Sequence, residues 1–500
     1  MRRFYGAREW APCCLRGQAG RVWTRPACPA RPAALRRLIK FDSFDSCRAR
    51  RRHLKNTAPP KASAAPLLTL AIESIDHEGQ GIARRDGKTV FVEGGLAGEI
   101  VAARTTRSKP SYDKATVEQV LKASAARVSP ACPHFGVCGG CGMQHLDARA
   151  QLAAKQRVLE DNLAHIGNTQ AEQIFPPIEG PHWGYRHRAR LSVRHVEKKG
   201  GVLVGFHEKR SSYVADMREC RVLPPAVSAL LNPLRDLVAG LSIRDRAPQI
   251  EYAQGDANPK LVLRNLEPPT DADLDRLRAF AAQHNVQWYL QPKGPETAQP
   301  LPGETHTLAY RLDEFGLRFA FQPTEFTQVN PHINAMLVRR AVRLLALTPQ
   351  DRVGDLFCGL GNFTLPIAQR AALTFGIEGS AGLITRAREN AAANGLAART
   401  DFAVANLFEI ADDWFDHLPK LNKLLIDPPR DGALAVVKAL PAATTGRLER
   451  IVYVSCSPST LARDAAILVH EKGYRLRGAG VANMFPHTAH VESIALFTAR

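Results

Sequence analysis

The sequence predicts a multidomain chain with three folded parts: a small N-terminal β-barrel, a central α+β domain, and a C-terminal α/β domain with a Rossmann-like sheet. Three observations carry this prediction. Short strand-like runs broken by glycine turns open the folded part, over residues 66–124. A close-spaced set of thiols follows, Cys132, Cys138 and Cys141, with Cys220 further on. From about residue 321, short apolar strands alternate with amphipathic helices, the rhythm of a doubly wound parallel sheet.

A chain of 500 residues exceeds one ordinary domain, and 45% hydrophobic with 23% charged residues suits a globular protein with several cores. No apolar run reaches the roughly 18 residues of a membrane helix. Of the net charge of +19, +12 falls in the first 60 residues. That stretch, residues 1–65, reads as a disordered basic arm or a misassigned start, and its Arg-rich, acid-poor character also resembles a transit segment. The remaining +7 makes the folded part mildly basic, which fits RNA binding. Cys13, Cys14, Cys28 and Cys47 lie in the arm without metal-binding spacing. With no secretory signal, the other thiols are expected to be reduced or metal-bound.

In the barrel, Leu68, Leu70 and Ile72 alternate, a turn is expected at residues 76–81, and Lys88-Thr89-Val90-Phe91-Val92 reads as a second strand. Ile100-Val101 and Ala115-Thr116-Val117 suggest further strands. Arg84, Arg85, Lys88, Arg104, Arg107, Lys109 and Lys114 are scattered among them. The central domain spans residues 125–320, with a helix at 148–166, strands at 189–193 and 202–206, and a helical stretch at 225–240. Within it, Trp183-Gly184-Tyr185-Arg186-His187-Arg188-Ala189-Arg190 has the Arg and aromatic content that suits phosphate contact and base stacking. The C-terminal domain, residues 321–500, is expected to place strands at 352–357, 373–377, 401–405, 423–426, 450–454 and 494–497.

The first of these strands ends in Asp355-Leu356-Phe357-Cys358-Gly359-Leu360-Gly361-Asn362-Phe363. Glycines there allow a sharp turn and close approach of the backbone to a ligand. Glu378 ends the next strand, where a carboxylate can accept hydrogen bonds from both ribose hydroxyls. The third glycine of a dinucleotide motif is missing, so the ligand is expected to be a nucleoside such as S-adenosylmethionine. Asn406 and Asp427, at the ends of two later strands, face the same crevice. Asp427 precedes Pro428-Pro429-Arg430, and the prolines restrict its direction.

Val452-Tyr453-Val454-Ser455-Cys456-Ser457-Pro458 places a cysteine at a strand end just before a helix, where the helix N-terminus favours a thiolate. Ser457 or Ser459 is a candidate cap. A second titratable run, Phe485-Pro486-His487-Thr488-Ala489-His490-Val491-Glu492, precedes the last strand. Cys456 is the expected nucleophile and Glu492 the expected base, with His487 and His490 as rivals. Cys358 is read as packing.

At these residues the chain resembles the uracil-5 RNA methyltransferases. Their nucleophile motif, Ser-Cys-Asn/Ser-Pro, is matched by Ser455–Pro458, and their base motif by Phe485–Glu492. Their Phe-x-Gln-x-Asn signature is matched by Phe326-Thr327-Gln328-Val329-Asn330. The resemblance implies covalent chemistry: uracil C5 is too weak a nucleophile until a thiolate adds at C6. It assigns cofactor contacts to Gln328, Phe357, Asn362, Glu378, Asn406 and Asp427.

Four thiols suit either tetrahedral zinc or a 4Fe-4S cluster. Zinc sites usually pair two short Cys-x-x-Cys units, whereas here Cys220 stands alone, so the spacing tilts toward iron. Members of the resembled family with this pattern carry a 4Fe-4S cluster on the residues matching Cys132, Cys138, Cys141 and Cys220. The barrel resembles a TRAM domain, an OB-like RNA-binding module. The resemblance implies that barrel, cluster and transferase together mark the 23S ribosomal RNA branch, the tRNA branch lacking both additions. A monomeric cytoplasmic enzyme follows from it. The alternatives are a tRNA or dual-site ribosomal uracil-5 enzyme, a cytosine-5 enzyme, and a non-catalytic RNA-binding protein.

Overall fold

The computed structural model describes residues 67–499, so the basic arm lies outside it. Six strands open the fold: β1 (Leu67–Ala71), β2 (Ser74–Ile75), β3 (Gly81–Arg85), β4 (Lys88–Glu93), β5 (Ile100–Ser108) and β6 (Tyr112–Lys122). Their order is β1-β5-β6-β4-β3-β2. The two edge strands are separated in the chain only by Ile72 and Glu73, and the Glu73 N–H donates to the Ile82 carbonyl at 2.8 Å. One continuous segment therefore closes both edges, which makes the sheet a barrel. Leu70, Ile72, Ala83, Val90, Val92, Val101, Ala103 and Ala115 fill it. The expected turn is present, but β3 behind it escapes a sequence reading because Gly-Ile-Ala-Arg-Arg has no bulky alternation. Gly81 is required there: a Cβ would stand 2.8 Å from Ile72 Cγ2 and 2.9 Å from the Gly95 carbonyl oxygen.

The helix Ala148–His165 starts at Asp147, whose carboxylate accepts from the Arg149 and Ala150 N–H groups. Leu159 and Leu163 on it are buried against Leu461, Ala462 and Ala465 of the helix Pro458–Ala466. The central sheet comprises β7 (Arg188–Val196), β8 (Gly201–Gly205), β9 (Gln249–Ala253), β10 (Lys260–Arg264), β11 (Gln287–Gln291) and β12 (Gln299–Pro300). Its order is β12-β11-β10-β9-β7-β8, with only β10 and β11 pairing in parallel. The expected helical stretch divides into Pro225–Ser228 and Leu231–Ala239. The latter and the helix Asp271–His284 bury Leu231, Leu234, Val238, Leu277 and Phe280 against Leu191, Tyr252 and Trp288.

A ribbon of β13 (Ala309–Leu312) and β14 (Leu317–Ala320) precedes the helix Pro331–Leu345 and the last sheet. That sheet holds β15 (Arg352–Leu356), β16 (Leu373–Glu378), β17 (Thr400–Val404), β18 (Lys423–Ile426), β19 (Arg450–Ser455), β20 (Arg475–Ala482) and β21 (Glu492–Thr498), in the order β17-β16-β15-β18-β19-β21-β20. All pairs but those of β21 are parallel; β21 is inserted antiparallel between β19 and β20. The strand order turns at β15 and β18, and ligands of such sheets sit outside the carboxyl ends at that point. Among the described residues no helix is long and apolar enough to cross a membrane.

Candidate active site

The loop after β15 is shaped by backbone conformation. Phe357, Gly359 and Gly361 all have positive φ, at 64°, 55° and 96°. Glycine adopts this region freely, whereas Phe357 does so at a cost offset by its contacts: its ring lies 5.6 Å from that of Phe408. Glu378 accepts from the Gly359 N–H at 3.2 Å and from the Ser380 N–H at 3.0 Å, so its carboxylate already lines the crevice. Asn406 is exposed at the end of β17 and turns toward Glu409 and the Phe408 N–H. Asn362 is held differently from the expectation. Its amide makes reciprocal bonds with Asn334, at 3.0 and 2.9 Å, and accepts from the Tyr310 hydroxyl at 2.8 Å. Gln328 lies two residues before Asn330, which caps the helix Pro331–Leu345. The Val329 carbonyl accepts from the His187 N–H, tying this segment to the start of β7.

Behind the loop, Asp355 is fully buried and accepts from the Thr364 hydroxyl at 2.5 Å. Its other carboxylate oxygen has no partner. Burial, with the neighbouring Asp427 and Glu378 charges, pushes its pKa up to about 7. Desolvation likewise pushes Asp427 up to about 7.

Cys456 follows the last residue of β19, and Glu492 is the first residue of β21. Ser455 is the register partner of Ser493, so the next step along the antiparallel pair sets Cys456 opposite Glu492. The helix after Cys456 begins at Pro458, but neither serine caps it as expected; Ser457 makes no capping bond, and its hydroxyl meets that of Ser459 at 3.3 Å. The thiol also departs from the expectation. Burial and the Glu492 and Asp427 carboxylates push it up to about 11, against the opposing pull of Arg430. The helix end is outweighed because two carboxylates stand near a desolvated sulfur. Glu492, buried beside Asp427, is raised well above the carboxylate range, again countered by Arg430.

His487 and His490 separate in role. His487 is buried, has φ 65°, and is stacked on Trp183 with centroids 3.9 Å apart. Its N–H donates to Gln151 Oε1, and its carbonyl accepts from the Gly142 and Met143 N–H groups. It is a structural junction. His490 Nδ1 meets Arg430 Nη2 at 2.9 Å. Gln151, Lys155, Asn483 and Arg430 were not singled out as contributors from the sequence. Two of them lie on the helix Ala148–His165, more than 300 residues from the loop they touch, and no local pattern reports such a contact.

The four cysteines are brought together. Cys132, Cys138, Cys141 and Cys220 line one cavity of about 330 Å³, along with Arg186, Phe206 and Met217. Arg430, Phe485, Thr488 and His490 form its wall toward the reactive residues. Burial pushes Cys141 up to about 11 and Cys220 to about 12, and raises Cys138. Among the described residues no group of three His, Cys, Asp or Glu side chains converges as a single ion demands.

The surface expectations need correction in two places. Lys88 is engaged by Asp113 at 2.7 Å and Ser108 at 3.2 Å, whereas Arg84 and Arg85 remain about half exposed or more in loose pairs. Tyr185 is 1% exposed, and its hydroxyl donates to the Pro486 carbonyl, so it cannot stack on a base. Arg190 pairs with Glu251.

The mostly parallel sheet, with its glycine loop at the switch point and β21 inserted antiparallel, is that of an α/β methyltransferase. Residues 147–500 match the family described as tRNA (Uracil-5-)-methyltransferase, and residues 68–117 match the TRAM domain. The chain belongs to that uracil-5-methyltransferase family. Among its relatives, the enzyme named 23S rRNA (uracil(1939)-C(5))-methyltransferase RlmD from Cupriavidus pinatubonensis is 59% identical over 89% of this chain and 99% of its own length. The enzyme of that name from Bordetella pertussis is 62% identical over 86% of this chain and 92% of its own. The crystal structure of Pyrococcus abyssi tRNA (uracil-54, C5)-methyltransferase has the same fold, with a TM-score of 0.65 at 21% identity, over 86% of this chain and all of that one. A tRNA enzyme is thus folded like nearly all of the described chain, and the expectation that the three-part architecture separates ribosomal from tRNA enzymes does not hold.

Proposed function

We propose that this enzyme methylates C5 of one uridine in 23S ribosomal RNA, with S-adenosylmethionine as donor. Identity near 60% across almost the whole length of the relatives supports the ribosomal substrate. The opposed Cys456 and Glu492 support the chemistry. Cys456 adds through sulfur to uracil C6, and the electron pair of the C5–C6 bond moves toward C5. The donor supplies an electrophilic methyl group: C5 takes it as the methyl–sulfonium bond breaks, and the electron pair of that bond stays on the departing thioether. Glu492 then takes the C5 proton, the C5–C6 double bond reforms, and the C6–S bond breaks. Arg430 favours both the thiolate and the carboxylate and assists at the two proton losses.

Gln328, Phe357, Asn362, Glu378, Asn406 and Asp427 are assigned to the donor. Glu378 suits the ribose because its carboxylate already faces the loop. Asn362 reaches the donor only by giving up one of these bonds or through its second Nδ2–H, so its contact is secondary. Cys132, Cys138, Cys141 and Cys220 are assigned to a 4Fe-4S cluster. The donor set has the right number and chemistry: four thiols lining one cavity, the count a 4Fe-4S cluster takes. We divide the chain into a TRAM barrel (66–124), a central cluster domain (125–320) and a transferase domain (321–500), working as a cytoplasmic monomer. The direct test is to map methylated uridines in 23S rRNA from a strain lacking this gene, before and after treatment with the protein and donor. Modification of tRNA instead would transfer the proposal to the other substrate.

A further inference from the structure

Between β20 and β21 the chain runs from Asn483 to Val491 and delivers Glu492 to its place. Its four carbonyls from Met484 to His487 each accept from a different part of the fold. Met484 O accepts from Asn330 Nδ2 at 3.5 Å, Phe485 O from Lys155 Nζ at 2.9 Å, and Pro486 O from the Tyr185 hydroxyl at 3.0 Å. His487 O accepts from the Gly142 and Met143 N–H groups at 3.0 Å. Lys155 is 2% exposed and donates also to Asn483 Oδ1 at 2.8 Å. One turn earlier on the same helix, Gln151 accepts from the His487 N–H at 2.9 Å.

Burying an amine without a carboxylate is costly, and an apolar side chain of the same length would pack there more cheaply. Among the described residues no carboxylate is paired with Lys155; its partners are one amide oxygen and one carbonyl, both in the segment that leads to the base. Two anchor points on that segment, two residues apart, fix both its position and its direction. We infer that Lys155 is a positioning residue that sets Glu492 for removal of the C5 proton, acting through Asn483 and Phe485. This rests on the covalent reading above and adds a residue to it. Misplacing a catalytic group by about 1 Å can cost on the order of 100-fold in rate. The loss here falls on the release step, after methyl transfer, because Cys456 directly follows β19 and neither bond of Lys155 goes to that strand.

The test uses the full-length protein, methyl-labelled S-adenosylmethionine and 23S rRNA lacking the modification. Lys155→Met and Asn483→Ala are compared with wild type and with Glu492→Gln. In denaturing gels both variants should accumulate a methyl-labelled protein–RNA adduct, with release slowed about 10- to 100-fold for Lys155→Met and less for Asn483→Ala, while donor affinity is unchanged. A variant that is merely unstable would lose donor binding and form less adduct, not more. If Lys155→Met fails to bind the donor, Asn483→Ala decides. If Glu492→Gln traps adduct but the folded variants release product like wild type, the inference falls and the covalent reading stands. If Glu492→Gln traps none, that reading falls first.

Discussion

Cys456 stands opposite Glu492 one step beyond the Ser455–Ser493 pair, and the Ser493 hydroxyl locks that end of the pair by donating to the Ser455 carbonyl at 3.1 Å. A parallel neighbour of β19 would begin on the other side of the sheet and bring no strand start to the nucleophile. The antiparallel insertion of β21 does so, which is why a base encoded 36 residues later in the chain meets the thiol.

Cys456→Ala should abolish methyl transfer and leave donor binding near wild type, since no strand contact is lost. RNA carrying 5-fluorouracil should trap the wild-type protein, because fluorine cannot leave C5 as a proton does. Equilibrium binding and denaturing gels read both. Turnover by the Ala variant at the normal rate would end the covalent reading.

The pH dependence follows from the two raised groups. The Cys456 thiol, pushed up to about 11, is mainly protonated at neutral pH, and burial raises Glu492 in the same direction. Cys456 must lose its proton before methyl transfer, so kcat/KM should climb as pH rises from neutrality, whereas Glu492 acts after that transfer and its titration shapes kcat. Arg430 lowers both groups, so Arg430→Met should move the profile to higher pH. A profile that falls as pH rises, or that Arg430→Met shifts downward, would contradict the electrostatics.

Purified without oxygen, the protein should be brown and carry about four irons per chain. Cys138→Ser should bleach it. Because the cavity wall includes Phe485, Thr488 and His490, bleaching should also loosen the segment that carries Glu492. Hydrogen exchange at Phe485–His490 measures this. A colourless protein with one zinc would overturn the assignment.

Cutting away the barrel is not a clean test of RNA binding. Leu96 is buried with Met143 and Leu146, and Glu93 is paired with Lys209 and Arg210, so truncation at residue 124 would expose apolar surface and break ion pairs. Arg84→Ala with Arg85→Ala is cleaner. The pair should weaken RNA binding and lower the salt slope by about 2, whereas Lys88→Ala, already engaged by Asp113, should lower it less. Binding curves at several salt concentrations decide between them. An unchanged slope would move the RNA anchor away from this face.

The sequence by itself determined whatever is local or periodic. Six of the seven strands of the last sheet lie within one or two residues of their expected places, because short apolar runs between amphipathic helices have few alternatives; β20 had no expected place. The glycine loop, Glu378 and Cys456 near strand ends, and the close spacing of Cys132, Cys138 and Cys141 were legible for the same reason: each is a short motif whose chemistry depends on near neighbours. The tertiary structure alone decided what depends on distance across the fold. It closed the barrel through β3, turned Asn362 toward Asn334 and Tyr310, buried Tyr185, and gave Lys155 and Gln151 to a loop more than 300 residues away. It also decided the sign of the Cys456 shift. A helix end acts along the chain and can be read from it, but desolvation and the charges of Glu492 and Asp427 act through space, and only the folded chain places them.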